Sequence, residues 1–388
     1  MIPYGKQNIS QEDIDSVIEV MNSEFLTQGP ITPKFEKELS NYCNSKYSVA
    51  VVNATSALHI ACLALDVKKG DIVWTSPISF VASSNAALYC DADVDFVDID
   101  INTYNMSVDS LEEKLIQSEK LGKLPKVVIP VHLAGQSCDM QKIFELSQKF
   151  NFKIIEDASH AIGAEYLNEK VGSCKYSDIT VFSFHPVKII TTCEGGACMT
   201  NDKSIFDKLY RLRSHGIVRN QEDMENISHG SWYYEQIDLG FNYRLNDLQS
   251  ALGLSQLKRI DKFIEQRHEV SNYYFENLKE LDNIILPYQS EHTYSSFHLF
   301  IIRVKGNNSS SRKNLFNKLR NNGIFVNIHY IPIYKHPYYS KRGYKNLENA
   351  EKYYEQAISI PIYPNLKKQD LEKIKNVINS NQNFQTLF

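Results

Sequence analysis

Lys188 follows the apolar run 178–184 and precedes Thr191-Thr192-Cys193-Glu194-Gly195-Gly196. A primary amine at the mouth of a buried strand can condense with an aldehyde, and the glycines beside it allow close approach of backbone. A solvated surface lysine is the competing reading. Asp157 closes the apolar run Ile154-Ile155-Glu156. A carboxylate there can pair with a protonated ring nitrogen, which offsets the cost of its burial; a helix N-cap explains it as well. In Asn53-Ala54-Thr55-Ser56-Ala57-Leu58 a strand gives way to an apolar helix. Free N–H groups and small residues at a helix N-terminus suit a phosphate, so Thr55 and Ser56 are candidate ligands, although ordinary capping accounts for them too. Ser183 can add a further phosphate contact. Phe80 can stack on a flat ring or simply belong to the core. His160 can position Asp157 or approach a ring hydroxyl, or be an ordinary core or surface histidine. A lysine for an aldehyde, an acid for a ring nitrogen, a cradle for a phosphate and an aromatic partner are the four requirements of pyridoxal 5'-phosphate (PLP). The expected cofactor is therefore PLP, with Lys188 as its Schiff-base lysine.

These residues need a frame. Short β-branched runs fall at 48–53, 71–75, 94–97, 126–131, 153–155 and 178–184, with helical patterns such as 56–65 and 140–150 between them. Such alternation predicts an α/β sheet paired in parallel, with ligands at the carboxyl ends of its strands. A capped helix is expected at 10–22, where Ser10 and Asp13 form a capping box, Ile9 and Ile14 a staple, and Ile14, Val17, Ile18 and Met21 one apolar face. A second helix is expected at 33–42. Beyond Arg244 a long helical stretch, 246–281, leads to strand candidates at 297–304, 325–328 and 358–362. Residues 1–250 then form a large domain and 251–388 a smaller α+β one. The polar run 307–311 reads as a mobile loop.

Composition narrows the function. A net charge of −4 over 388 residues gives no general reason to bind nucleic acid or an acidic membrane. No apolar stretch approaches the ~20 residues of a membrane span, and 1–9 lacks a signal-peptide core. The seven cysteines are scattered and odd in number, as expected of free thiols in a reducing cytoplasm. Cys193 and Cys198 have no second pair at zinc-site spacing, so no metal is expected.

Several stretches resemble the DegT/DnrJ/EryC1/StrS sugar aminotransferases. They are Leu26-Thr27-Gln28-Gly29, Asn53 to Leu58, Thr75 to Ala82 and Ser183-Phe184-His185. Three more are Arg213-Ser214-His215-Gly216, Asn242-Tyr243-Arg244-Leu245-Asn246 and His329 to Tyr334. The resemblance spans nearly the whole chain and implies the fold type I architecture of aspartate aminotransferase, a large domain with a mainly parallel sheet plus a smaller α+β domain. It implies amino transfer from glutamate to the C4 ketone of a UDP-4-keto-6-deoxy-N-acetylhexosamine, with another keto nucleotide sugar as the nearest rival. A sugar dehydratase of related sequence is disfavoured by Lys188, and a non-catalytic sugar-nucleotide binder by the intact constellation. Carried over by residue, Ala54, Thr55, Ser56, Phe80, Asp157, His160, Ser183, Lys188 and Asn242 hold the cofactor. Asn242 reaches the neighbouring subunit's phosphate, which implies a homodimer with shared active sites. The sugar nucleotide meets Tyr4, Glu24, Phe25, Leu26, Thr27, Ala54, Ser183, Asn242, Asn327, Ile328, His329 and Tyr330, with His298 and Arg244 as weaker candidates. Cys193 departs from the glycine or alanine that relatives often carry before Glu-Gly-Gly.

Overall fold

Residues rich in Val, Ile and aromatics, bounded by turn formers, make the strands of one central sheet. They are β1 (Tyr47–Val51), β2 (Ile72–Thr75), β3 (Asp93–Phe96), β4 (Val127–Ile129), β5 (Lys153–Asp157), β6 (Ile179–Ser183) and β7 (Gly196–Thr200). The computed structural model describes residues 1–306 and 309–380. The sheet order is β1-β7-β6-β5-β4-β2-β3. From β6 through β3 the pairing is parallel, as expected, but β7 runs antiparallel to both β6 and β1. Sequence patterning does not foresee β7. Gly196 and Ala197 have little strand preference, and burial between two neighbours overrides it.

The helix α1 (Gln11–Met21) starts with the expected capping box, in which Ser10 and Asp13 bond each other's backbone N–H. Its apolar face is not the buried one: Ile14, Ile18 and Met21 are 45%, 48% and 64% exposed, and Ile9 is also exposed. The buried side carries Asp13 and Val20. Asp13 can be buried because Ser255, Gln256 and Arg259 all donate to its carboxylate.

The second helix, α2 (Ile31–Cys43), starts earlier than expected. Asp247 accepts from the Ile31 and Thr32 amides and from the Thr32 hydroxyl, so a distant carboxylate caps it. The helix α3 (Ala54–Ala64) leaves β1 with Asn53 as its N-cap and buries Ala57, Leu58, Ile60 and Ala61. Each large apolar side chain so buried contributes about 1.5–3 kcal/mol, which pins the helix start in place.

The long helical stretch is two helices, Asp247–Leu257 and Ile260–Leu278, broken where Arg259 leaves helical geometry and turns its side chain to Asp13. A small antiparallel sheet follows, Ile284–Ile285 beside Phe300–Val304 beside Ala357–Ile360. The 325–328 segment is no ladder strand. It makes one isolated bridge, Asn327 to Ser359, and Ile324 just before it makes another, to Ile2. The chain start threads beneath it, with the Ile2 amide on the Gly323 carbonyl and the Phe325 amide on the Ile2 carbonyl. Of the expected loop 307–311, Asn307 and Asn308 lie outside the described residues, and 309–311 open the helix Ser309–Asn321. No described helix is long and apolar enough to cross a membrane.

Candidate active site

At the carboxyl ends of β1, β2, β4, β5 and β6 the structure opens into a cavity of about 530 Å³. Lys188 and Asp157 both line it. Lys188 sits on the loop between β6 and β7, held by its own amide on the His185 carbonyl and by the Thr191 hydroxyl on the Phe184 carbonyl. It is not a solvated surface lysine: burial pulls its ammonium down to about 8, against the opposing pull of the Asp157 charge. Asp157 caps no helix. Its Oδ1 accepts from the Ser159 hydroxyl at 2.6 Å and its Oδ2 from Ser83 at 2.6 Å.

The cradle is built by approach of backbone. Asn53 Oδ1 accepts from the Ser56 amide at 2.8 Å, so Asn53 is the cap and Ser56 is buried away from the cavity. Ala54 and Thr55, whose amides have no preceding helical carbonyl, line it. Gly196 pairs with Ser183 across the β6–β7 ladder. A Cβ on Gly196 would lie 2.7 Å from the Ala54 nitrogen, so only glycine lets the helix start come this close to Ser183. Phe80 is not core: it is 58% exposed at the cavity rim, its ring 6.2 Å from that of Tyr330.

The far wall comes from the C-terminal part of the chain and from the N-terminus. Asn327, Ile328, His329, Tyr330 and His298 line it, with Tyr4 beside His329 at a ring distance of 5.3 Å. The Ile362 amide bonds the Tyr4 carbonyl and anchors that residue. His160 and His298 are pushed well below the ordinary histidine range by burial and then by neighbouring charge. His329 is pushed down to about 3 by burial and by Lys188. All three imidazoles are therefore neutral near pH 7.

Other expected residues are not brought here. Glu24, Phe25, Leu26, Thr27, Asn242 and Arg244 lie outside the cavity of this chain. Glu24 to Thr27 and Asn242 are exposed, and Leu26 is tied to Asp247 through its carbonyl. Ser79, Ser159, His185, Val187 and Glu194 line the cavity without having been expected. Ser159 carried a signal, an Asp-x-Ser turn pattern. Ser83 carried none. Cys193 is exposed, at φ 65°, a left-handed backbone where glycine is free of strain.

A lysine and a paired carboxylate facing one cavity, beside a helix N-terminus opened by glycine, fit an aldehyde cofactor that carries a ring nitrogen and a phosphate. Fold and site thus define a PLP-dependent aminotransferase of fold type I. Residues 7–379 match the model of the DegT/DnrJ/EryC1/StrS aminotransferase family, and the chain belongs to that family. It is 38% identical, over 97% of its length and 96% of the relative's, to the UDP-4-amino-4,6-dideoxy-N-acetyl-beta-L-altrosamine transaminase of Campylobacter jejuni. Its structure is similar to that of Helicobacter pylori PseC, an aminotransferase of pseudaminic acid biosynthesis, with a TM-score of 0.89, 32% identity and 98% of each chain covered. It is also similar to a sugar aminotransferase of Streptococcus pneumoniae in its PLP form, with a TM-score of 0.87, 28% identity, and 98% and 99% of the two chains covered.

Proposed function

We propose that this enzyme moves an amino group from glutamate to C4 of UDP-2-acetamido-2,6-dideoxy-β-L-arabino-hex-4-ulose. The product is UDP-4-amino-4,6-dideoxy-N-acetyl-β-L-altrosamine, on the route to pseudaminic acid. What carries the reading is the facing of Lys188 and Asp157 across a cavity whose remaining wall, Asn327 to Tyr330, has room for a sugar. The C. jejuni relative's name supplies the sugar.

Bound in the cavity, PLP supplies the electron sink that lets an amino group be exchanged for a ketone. Asp157, held by Ser83 and Ser159, pairs with the ring nitrogen. Thr55, Ser183 and the Ala54–Thr55 amides would hold the phosphate, Phe80 would stack on the ring, and Ser56 supports the helix turn. Lys188 would carry the cofactor, and its Nζ would move the proton, a task suited to an amine whose pKa is lowered to about 8.

The active enzyme is a homodimer. The apolar face of α1 (Ile14, Ile18, Met21), together with Phe25 and Leu26, is exposed and suits a second copy. Asn242 and 24–27 then serve the partner's cavity, which accounts for their absence from their own. The cytoplasm is the proposed location, supported by seven unpaired cysteines. Residues 1–250 and 251–388 are proposed as its two domains; the cluster from Val270 to Ile378 around the small sheet supports this, although Leu299, Ile301, Ile333 and Tyr353 pack into the large-sheet cluster and join the two.

The test is a product assay by NMR with the two C5-epimeric UDP-4-keto sugars and glutamate. Turnover of the L-arabino substrate to the altrosamine is expected. Exclusive turnover of the D-epimer, or of a 3-keto sugar, overturns the substrate assignment while leaving the aminotransferase intact.

A further inference from the structure

Directly behind the cavity lies a buried pair with no part in the chemistry above. His132 Nε2 is 2.7 Å from Glu156 Oε2, and both residues are buried. Glu156 neighbours Asp157 on β5 but takes its other bonds from the hydroxyls of Ser177 and Thr180. Burial works against its charge, and His132 with these hydroxyls outweighs that, so its carboxyl stays below the usual range.

His132 opens the turn 132–138, which feeds two imidazoles in the same way. The Cys138 amide donates to His132 Nδ1 at 3.1 Å, and the Ala134 amide donates to His160 Nδ1 at 3.3 Å. A ring nitrogen that accepts an N–H bears no proton, so His160 carries its own on Nε2. For His132, burial opposes a charge while Cys138 and Glu156 raise the ring to about 10; the Cys138 N–H aimed at Nδ1 nevertheless leaves the neutral Nε2–H form as the one this geometry accommodates. His132 gives that proton to Glu156. His160 gives its own to the Tyr330 hydroxyl oxygen, at 3.2 Å.

The turn is rigidly held. Asn105 bonds the Leu133 amide and the Gln136 carbonyl, and the His132 amide bonds the Asp157 carbonyl. Ala134 stands at φ 62° and Gly135 at φ 103°. A Cβ on Gly135 would lie 2.5 Å from Ser296 Oγ. A non-glycine residue in this conformation persists only where its surroundings impose it. Here the imposed conformation is the one that points the Ala134 amide at His160.

We infer that Glu156 and His132 are positioning residues which, through this turn, lock His160 as a hydrogen-bond donor to Tyr330. With its oxygen already accepting from His160, the Tyr330 hydroxyl has its own proton free for an acceptor oxygen of the bound ligand. The consequence for catalysis rests on the cavity being the reaction site. The tautomer itself does not depend on which sugar is used, so the two readings fail separately.

Full-length holoenzyme with isotope-labelled histidine tests this by long-range nitrogen–proton correlation, with His160→Gln assigning the signals. Lys188, Asp157, His298, His329 and Tyr330 are the ionisable groups facing His160. Against them, a single neutral Nε2–H tautomer is expected from about pH 6 to about pH 9. An Nδ1–H or doubly protonated ring overturns the proposal. Tyr330→Phe should leave the tautomer unchanged, since the amide sets it; a flip there overturns it as well. In Glu156→Gln the two His160 nitrogen signals should move toward each other and kcat should fall. If that variant fails to fold, His132→Gln releases the Cys138 amide and should show the same averaging. A folded variant of either kind with an unmoved His160 tautomer removes Glu156 and His132 from the assignment.

Discussion

Ser83, the second residue of the helix Ala82–Tyr89, donates a 2.6 Å hydrogen bond to Asp157 Oδ2 at the end of β5. Ser79 lies 2.6 Å behind it, hydroxyl to hydroxyl. The carboxylate proposed for the ring nitrogen is therefore oriented from a helix distant in sequence. A hydrogen bond to a charged group is worth about 1.5–3 kcal/mol. Ser83→Ala is expected to lower kcat/KM about tenfold or more and to weaken cofactor retention in dialysis. Wild-type values in both assays would remove Ser83 from the site.

Lys188→Ala should lose the visible cofactor absorbance and all measurable amino transfer, with the fold intact by circular dichroism. Retained turnover would falsify the role of Lys188.

The pH dependence has a definite sign. Only the neutral amine captures an aldehyde, and Lys188 loses its proton near pH 8 rather than at the usual lysine value. PLP capture by cofactor-stripped enzyme should therefore rise with pH through a midpoint of about 8 and level off roughly a unit above it. The Asp157 charge favours the ammonium, so Asp157→Asn should move the midpoint to lower pH. A midpoint above that of wild type contradicts the arrangement.

Gly196→Ala places a methyl group 2.7 Å from the Ala54 nitrogen. Overpacking of this kind costs about 1–3 kcal/mol. Thermal unfolding should show the loss, and PLP affinity should drop because the start of α3 is displaced from Ser183. Equal loss of affinity in Ala57→Gly, which loosens α3 without crowding it, would argue against the cradle.

If sites are shared, Lys188→Ala and Asn242→Asp should complement each other. Each is expected to be inactive alone, the second because a carboxylate replaces an amide beside the phosphate. A mixed dimer holds one site with neither change, so a refolded equimolar mixture should regain roughly a quarter of the wild-type sites. No recovery, or a monomer by sedimentation, rejects the shared site.

How much of this was legible beforehand depends on the range of the forces involved. Strand, turn and helix alternation is local patterning, and it placed Lys188, Asp157, Thr55 and Phe80 at strand ends that do converge. The amines, carboxylates and aromatics that chemistry demands were therefore visible as types and positions. What the sequence could not show is which groups meet across separations of 26 to 216 residues. Asp247 capping α2, Ser83 holding Asp157 and the Ala134 amide fixing His160 all depend on how separate elements pack. The apolar face of α1 was legible as a stripe, but its exposure was not, because periodicity reports that a face is apolar and not what covers it. Likewise β7, built on glycine and alanine, exists because burial between β1 and β6 outweighs its own weak preference. The kind of chemistry was thus set by residue types along the chain, whereas its geometry, and the protonation state of its histidines, came only from tertiary packing.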